Sequence, residues 1–236
     1  MRYAAAVAGL VAAWFATPSA ALDIREAVYS EPTTRYAHGV LGDAIEWGAL
    51  ELRGADGKLY RIHLPEYRVF EDTAPRLVDV DGDGEAEVVV VESDTTLGAR
   101  LAVYDTEGLV SATKFIGTSN RWLAPVGIGA ADLDGDGQVE LAYVDRPHLA
   151  KTLRIFRFAP DALVPLADLP GVTNHRIGET DIAGGIRNCG GLPELIVASA
   201  DWSRVMAVRF DGTGFTTRDA GRHRGRESFD RALGCN

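Results

Sequence analysis

The chain has 236 residues, 46% of them hydrophobic, enough for a domain with a substantial core. Its formal charge of −10, with no basic stripe along the chain, argues against a nucleic-acid partner. It carries no Gly-x-Ser-x-Gly elbow, Walker loop, His-Glu-x-x-His pair or dinucleotide fingerprint, so those enzyme classes have no motif to stand on.

In chain order, Met1-Arg2-Tyr3 is a short basic opening, Ala4 to Phe15 is apolar, and Ser19-Ala20-Ala21 fits a small-x-small cleavage site. This reads as a secretory signal over 1–21, too short to span a bilayer, with a mature chain from Leu22 in the periplasm or outside the cell. No later stretch is apolar enough to be a transmembrane segment. The sequence leaves the oligomeric state open.

Strand patterns follow in sets of four, at 35–42, 45–52, 58–64 and 67–71, then 75–79, 87–92, 99–104 and 110–116. The third set is 125–132, 139–145, 152–158 and 163–167, and the fourth 175–182, 194–199, 204–210 and 215–219. His63 alternates within its strand and reads as a sheet-face residue. Segments 23–31 and 222–236 are left over as latches. The basic cluster Arg218 to Glu227 reads as a solvated end.

Two stretches carry the chemistry. Asp79, Asp81, Asp83, Glu85 and Glu87 recur as Asp132, Asp134, Asp136, Gln138 and Glu140, with glycine at the sixth position, Gly84 and Gly137. Alternate carboxylates of a tight loop converge, the carbonyl of Glu85 or Gln138 adds an oxygen, and such a hard donor set suits Ca2+ at two sites. An EF-hand needs a glutamate at position 12 and flanking helices, whereas Val90 and Tyr143 stand there within apolar strand-like runs. The two loops hold nine acids, so the net charge is concentrated where cations would offset it.

The segments Ala74 to Gly84 and Gly127 to Gly137 resemble the FG-GAP/VCBS repeat of integrin-α-like β-propellers. That resemblance implies that each acidic loop joins the first two strands of a blade and binds calcium through the positions named above, with glutamate at the ninth position where the family often has aspartate. Spacing of about 50 residues between copies fits propeller blades. The expected architecture is all-β: a small β-propeller of four blades of four antiparallel strands, or five blades if the end segments supply another sheet.

The third copy keeps Asp181 but loses the other acids, and Cys189 stands where the loop should be. The only other cysteine is Cys235, and an even pair in an exported chain reads as a disulfide.

Opposite the acidic loops, the other rim should collect Tyr36, His38, Asn120, Arg121, Trp122, His148, Asn174, His175, Arg176, Asp201, Trp202 and Arg204. Aromatic faces beside amides and charges suit a glycan, a cell-wall component or a protein partner. Trp122 and Trp202 have an alternative role as wedges between blades. The leading expectation is a non-catalytic binding module. The alternatives are a glycoside hydrolase or lyase using Glu71, Asp72, Asp94, Asp145 or Asp201, and a purely structural or adhesive module.

Overall fold

The computed structural model describes residues 22–235, so the segment read as an export signal lies outside the described residues. The described chain is all-β apart from one short helix. The strands are β1 (Ile24–Thr33), β2 (Glu46–Gly54), β3 (Leu59–His63), β4 (Arg68–Phe70), β5 (Arg76–Val78), β6 (Glu87–Asp94), β7 (Gly98–Tyr104) and β8 (Leu109–Ala112). They continue as β9 (Leu123–Ala131), β10 (Glu140–Asp145), β11 (Thr152–Arg157), β12 (Val164–Pro170), β13 (Val172–Thr173), β14 (Gly185–Arg187), β15 (Glu194–Ser199), β16 (Arg204–Phe210) and β17 (Phe215–Arg222), before helix α1 (Glu227–Leu233).

These strands hydrogen-bond into three antiparallel sheets. The first runs β1-β2-β4-β6-β7-β8, with β3 beside β2 and β5 beside β6; the second is β12-β11-β10-β9; the third is β13-β15-β16-β17, with β14 beside β15. The first two expected sets merge because β4 bridges them, pairing Phe70 with Trp47 of β2 and Arg68 to Phe70 with β6.

The strand order follows from burial on both faces of the middle strands. Val88 and Val90 of β6 pack with Leu50, Leu52 and Phe70, while Val89 and Val91 face Leu123, Leu141 and Tyr143 of the second sheet. Ala142 and Val144 of β10 turn the other way, toward Leu195, Val197 and Phe210 of the third. Ile196 and Ala198 then meet Phe229 and Ala232 of α1. Each side chain period of two therefore serves two interfaces, and the sequence shows continuous apolar runs rather than alternation.

Four expectations are corrected here. Residues 35–42 form a loop, with Gly39 and Gly42 at positive φ, while the supposed latch 23–31 is most of β1, paired along its length with β2. Segment 175–182 is not a strand; β13 and β14 lie on either side of it. The C-terminal segment holds α1, which covers the outer face of the third sheet.

The first strands of the first and third repeats are interrupted by side chains that take over backbone bonding. Between β4 and β5 the Asp72 carboxylate accepts from the Val91 amide at 3.0 Å and is gripped by two Arg76 nitrogens at 2.6 and 2.8 Å. Between β13 and β14 the Asn174 side-chain amide donates to the carbonyls of Ala124 and Pro125. The loop after β1 reaches this region too, where the Gly178 amide donates to the Val40 carbonyl at 3.0 Å.

Candidate functional site

The two acidic loops are turns between the first and second strands of their repeats, and their bonds from backbone amide to carboxylate are the same atom for atom. Asp79 Oδ1 accepts from the Gly82 amide and Oδ2 from Gly84, while Glu87 Oε2 accepts from Val80. Asp132 and Glu140 do likewise with the amides of Gly135, Gly137 and Leu133. Gly84 and Gly137 sit at φ +92 and +87, backbone that a side chain would strain.

Carboxylate oxygens of Asp79, Asp81 and Glu87 lie within 4.8 Å of one another, as do those of Asp132, Asp134 and Asp136. Burial, with Asp81, Asp83 and Asp79 close by, pushes the Glu87 carboxyl up to about 7. One buried Glu85 side-chain oxygen has no hydrogen-bond partner. An all-oxygen donor set, its Glu87 carboxyl held against ionisation chiefly by burial, fits a hard divalent cation in the first loop. In the second loop the charge is already answered. Arg157 reaches Asp134, Asp136 and Glu140 at 2.9, 2.8 and 2.5 Å.

The corresponding turn of the third sheet, between β14 and β15, holds Cys189, bonded to Cys235 beyond α1. Glu194, at the start of β15, is bonded by Arg187, whose guanidinium also donates to the carbonyls of Ala232 and Gly234.

The residues expected on the other rim divide into a walled cavity, a stacked cluster and a buried set. A cavity of about 230 Å³ is lined by His38, Asn120, Arg121, Trp122, Arg146, His148, Leu149 and Ile177. Arg176 lies 4.2 Å over the Trp202 ring, which itself packs against His223 and Phe229. Asp201 is held by Ser199 and Ser203, and Arg204 pairs with Asp219.

Tyr36, Trp122, Asn174 and His175 are buried and present no broad surface to a partner. The Trp122 indole donates to the Glu71 carbonyl at 2.7 Å, and its ring stands edge-on to His175 at 4.8 Å. Tyr36 accepts from the Asn120 amide, fixing the cavity floor to the loop after β1. His175 shares a 3.0 Å hydrogen bond with His148 and a 2.9 Å one with the Glu179 carbonyl. Burial and the neighbouring imidazoles of His175 and His38 push His148 down to about 4, so it is uncharged at neutral pH.

A second, larger cavity of about 400 Å³ was not visible in the sequence. Lys114, Phe115, Tyr143, Asp145, Arg154 and Phe156 are among its lining residues, and Arg146 belongs to the walls of both cavities. Lys114 and Phe115 fall within the expected strand 110–116, but β8 stops at Ala112 and the chain after it turns into the cavity wall. Asp145 is clamped by Arg146 at 2.8 Å and by Arg154 at 2.8 Å.

The carboxylates considered for catalysis are also engaged. Glu71 lies 2.6 Å from His38 Nδ1 and accepts from Ser93, Asp72 is held by Arg76, and Asp94 accepts from Thr96 and faces Arg68.

No curated protein matches the chain. Residues 79–143 match the family model described as an FG-GAP-like repeat, a span that takes in both acidic loops and the strands between them. That segment, where the loops repeat their hydrogen bonds in register, carries the FG-GAP-like repeat.

Proposed function

We propose that the protein is an exported interaction module, a small propeller that binds an acidic oligosaccharide of the cell-wall type across its two adjoining cavities. The observation that carries this is Arg146, shared by both walls. Around it stand Lys114 and Arg121, which make no ion pair among the described residues, and Arg154, which with Arg146 brackets Asp145, while Phe115, Tyr143 and Phe156 supply ring surface. Rings cover the C–H faces of a sugar and cations answer its carboxylates. Pairing of Glu71, Asp72, Asp94 and Asp145 with cationic or histidine partners favours binding over glycosidic cleavage, which needs two free carboxyls about 5–10 Å apart.

Blades in this reading are β4–β8, β9–β12 and β13–β17, with β1–β3 as a fourth, and the bond between Gly178 and Val40 ties the loop after β1 to the third repeat. A calcium ion held by Asp79, Asp81, Asp83, Glu87 and the Glu85 carbonyl would neutralise the first turn and pin its hairpin. Chelation then lowers the melting temperature, and Asp81→Asn removes that sensitivity. Identical melts with calcium and with chelator would refute the metal reading.

Titration calorimetry with matched neutral and uronic-acid oligosaccharides tests the ligand. Acidic members should bind, and Lys114→Ala and Arg121→Ala should each weaken them about tenfold, the loss of one charge-assisted contact. Equal affinity for neutral and acidic sugars, or none for either, would refute the assignment.

A further inference from the structure

Each of the three turns between first and second strands ends on a glutamate, Glu87, Glu140 or Glu194. What faces that glutamate from the next strand differs. In the second sheet the register sets Arg157 opposite Glu140. In the third, Leu195 pairs with Val208, which brings Arg209 opposite Glu194. In the first, Val88 pairs with Tyr104, so the residue beyond, opposite Glu87, is Asp105. Its carboxylate is spent on a local turn, accepting from the amides of Glu107 and Gly108.

Arg157 makes more than a surface pair. Its Nη2 lies 2.9 Å from Asp134 Oδ2 and 2.5 Å from Glu140 Oε1, its Nε 2.8 Å from the same Glu140 oxygen, and its Nη1 2.8 Å from Asp136 Oδ2. Those are three of the four carboxylates that a divalent ion in this loop would need. A guanidinium so placed already satisfies their charge and hydrogen-bonding capacity, and it would repel a second cation.

The neighbouring sheet closes the loop further. A Cβ at Gly212 would stand 2.9 Å from Asp134 Oδ2, and one at Gly135 would stand 2.8 Å from Leu192 Cδ2. At Gly82, the first-loop counterpart of Gly135, there is open space. Asp134 is half-buried where its counterpart Asp81 is exposed.

We propose that Arg157 takes the place of a divalent ion in the second loop, so that the chain holds one cation, at residues 79–87, rather than two. The count rests on the reading of the first loop as a calcium site. The part assigned to Arg157 rests on its own contacts. The two repeats thus solve one electrostatic problem differently: the first recruits its positive charge from solution, and the second carries it covalently on β11.

Calcium and terbium titrations followed by calorimetry and luminescence, with melting curves in chelator, test this on four variants. The wild type should bind one ion, Asp81→Asn none, Arg157→Gln two, and the Asp81→Asn/Arg157→Gln double variant one. In chelator, Arg157→Gln should melt about 5 °C or more below wild type, and calcium should restore it. Arg157→Lys keeps a charge in the loop and should still bind a single ion, which separates exclusion by charge from a general loosening.

A wild type that binds two ions, with one surviving in Asp81→Asn, would overturn the proposal while leaving the calcium reading intact. Loss of the calcium response in Asp81→Asn supports that reading by itself. Failure of the double variant to respond to calcium would overturn the proposal alone.

Discussion

Replacing Glu46 by glutamine should stabilise the protein, and by more as the pH rises. Glu46 opens β2 and is 2% exposed, and the groups that act on it are three further carboxyls, Glu71, Asp43 and Asp72. Burial first, and those neighbours second, push its carboxyl up to about 9 from an ordinary 4.5. Between those values the folded protein binds a proton that the unfolded chain has released, so stability is full below pH 4.5 and falls as the pH rises toward 9. At pH 7 the distance travelled is 2.5 pH units, which at 1.36 kcal/mol per unit is a loss of about 3 kcal/mol.

Glutamine keeps the shape and removes the titration. Glu46→Gln should therefore match wild type near pH 4 and melt about 6–12 °C higher at pH 7. Scanning calorimetry at pH 4, 5.5, 7 and 8.5 gives the whole curve. A pH-independent difference between the two proteins, or a lower melting temperature for the variant at pH 7, would show that Glu46 is ionised in the fold and refute the reasoning. Glu71, the first of those neighbours, bonds His38 in the wall of the smaller cavity, so a charge at Glu46 would reach that wall through one carboxyl.

Reducing the Cys189–Cys235 bond, or replacing both residues by serine, releases a loop set by a separation of 46 residues; the chain-entropy value is about 4 kcal/mol, read as a melting temperature lower by about 10 °C. A shift under about 2 °C would show that the bond holds nothing that α1 does not. Phe229→Ala should cost about 3–5 kcal/mol by emptying the contact between α1 and the third sheet, whereas the exposed Arg231→Ala on the same helix should be near neutral in the same denaturant titration.

The elements legible in the sequence are those whose environment leaves one solution. Runs such as Val88 to Val91, Leu141 to Val144 and Leu195 to Ala198 are buried on both faces, and β15 and β16 fall at their expected bounds. The acidic turns are legible because their bonding is local, within seven residues. β1 lies on an outer edge with most of its side chains at least partly exposed, so it has no apolar stripe to find. α1 is seven residues long and buries little more than Phe229 and Ala232, which a run of arginines masks. The polar sequence neighbours of Trp122 leave a rim position and a wedge between blades equally open; it is buried, and its indole partner, the Glu71 carbonyl, is 51 residues away. The larger cavity draws its wall from two sheets, a juxtaposition with no signature in either segment alone.

The three turn regions also explain why no one staple suffices. The second sheet has apolar neighbours on both faces, and its turn needs only its own charges balanced, which Arg157 does. The third sheet has a whole sheet on one face and a two-turn helix on the other, so its outer interface buries far less apolar area and contributes correspondingly less free energy. An ion pair or a bound cation at that edge would be weakened by solvent and by salt. A disulfide is weakened by neither, because it acts by restricting the unfolded chain. It joins the turn at Cys189 to the residue two beyond α1, which holds the helix over the sheet even when its few apolar contacts loosen.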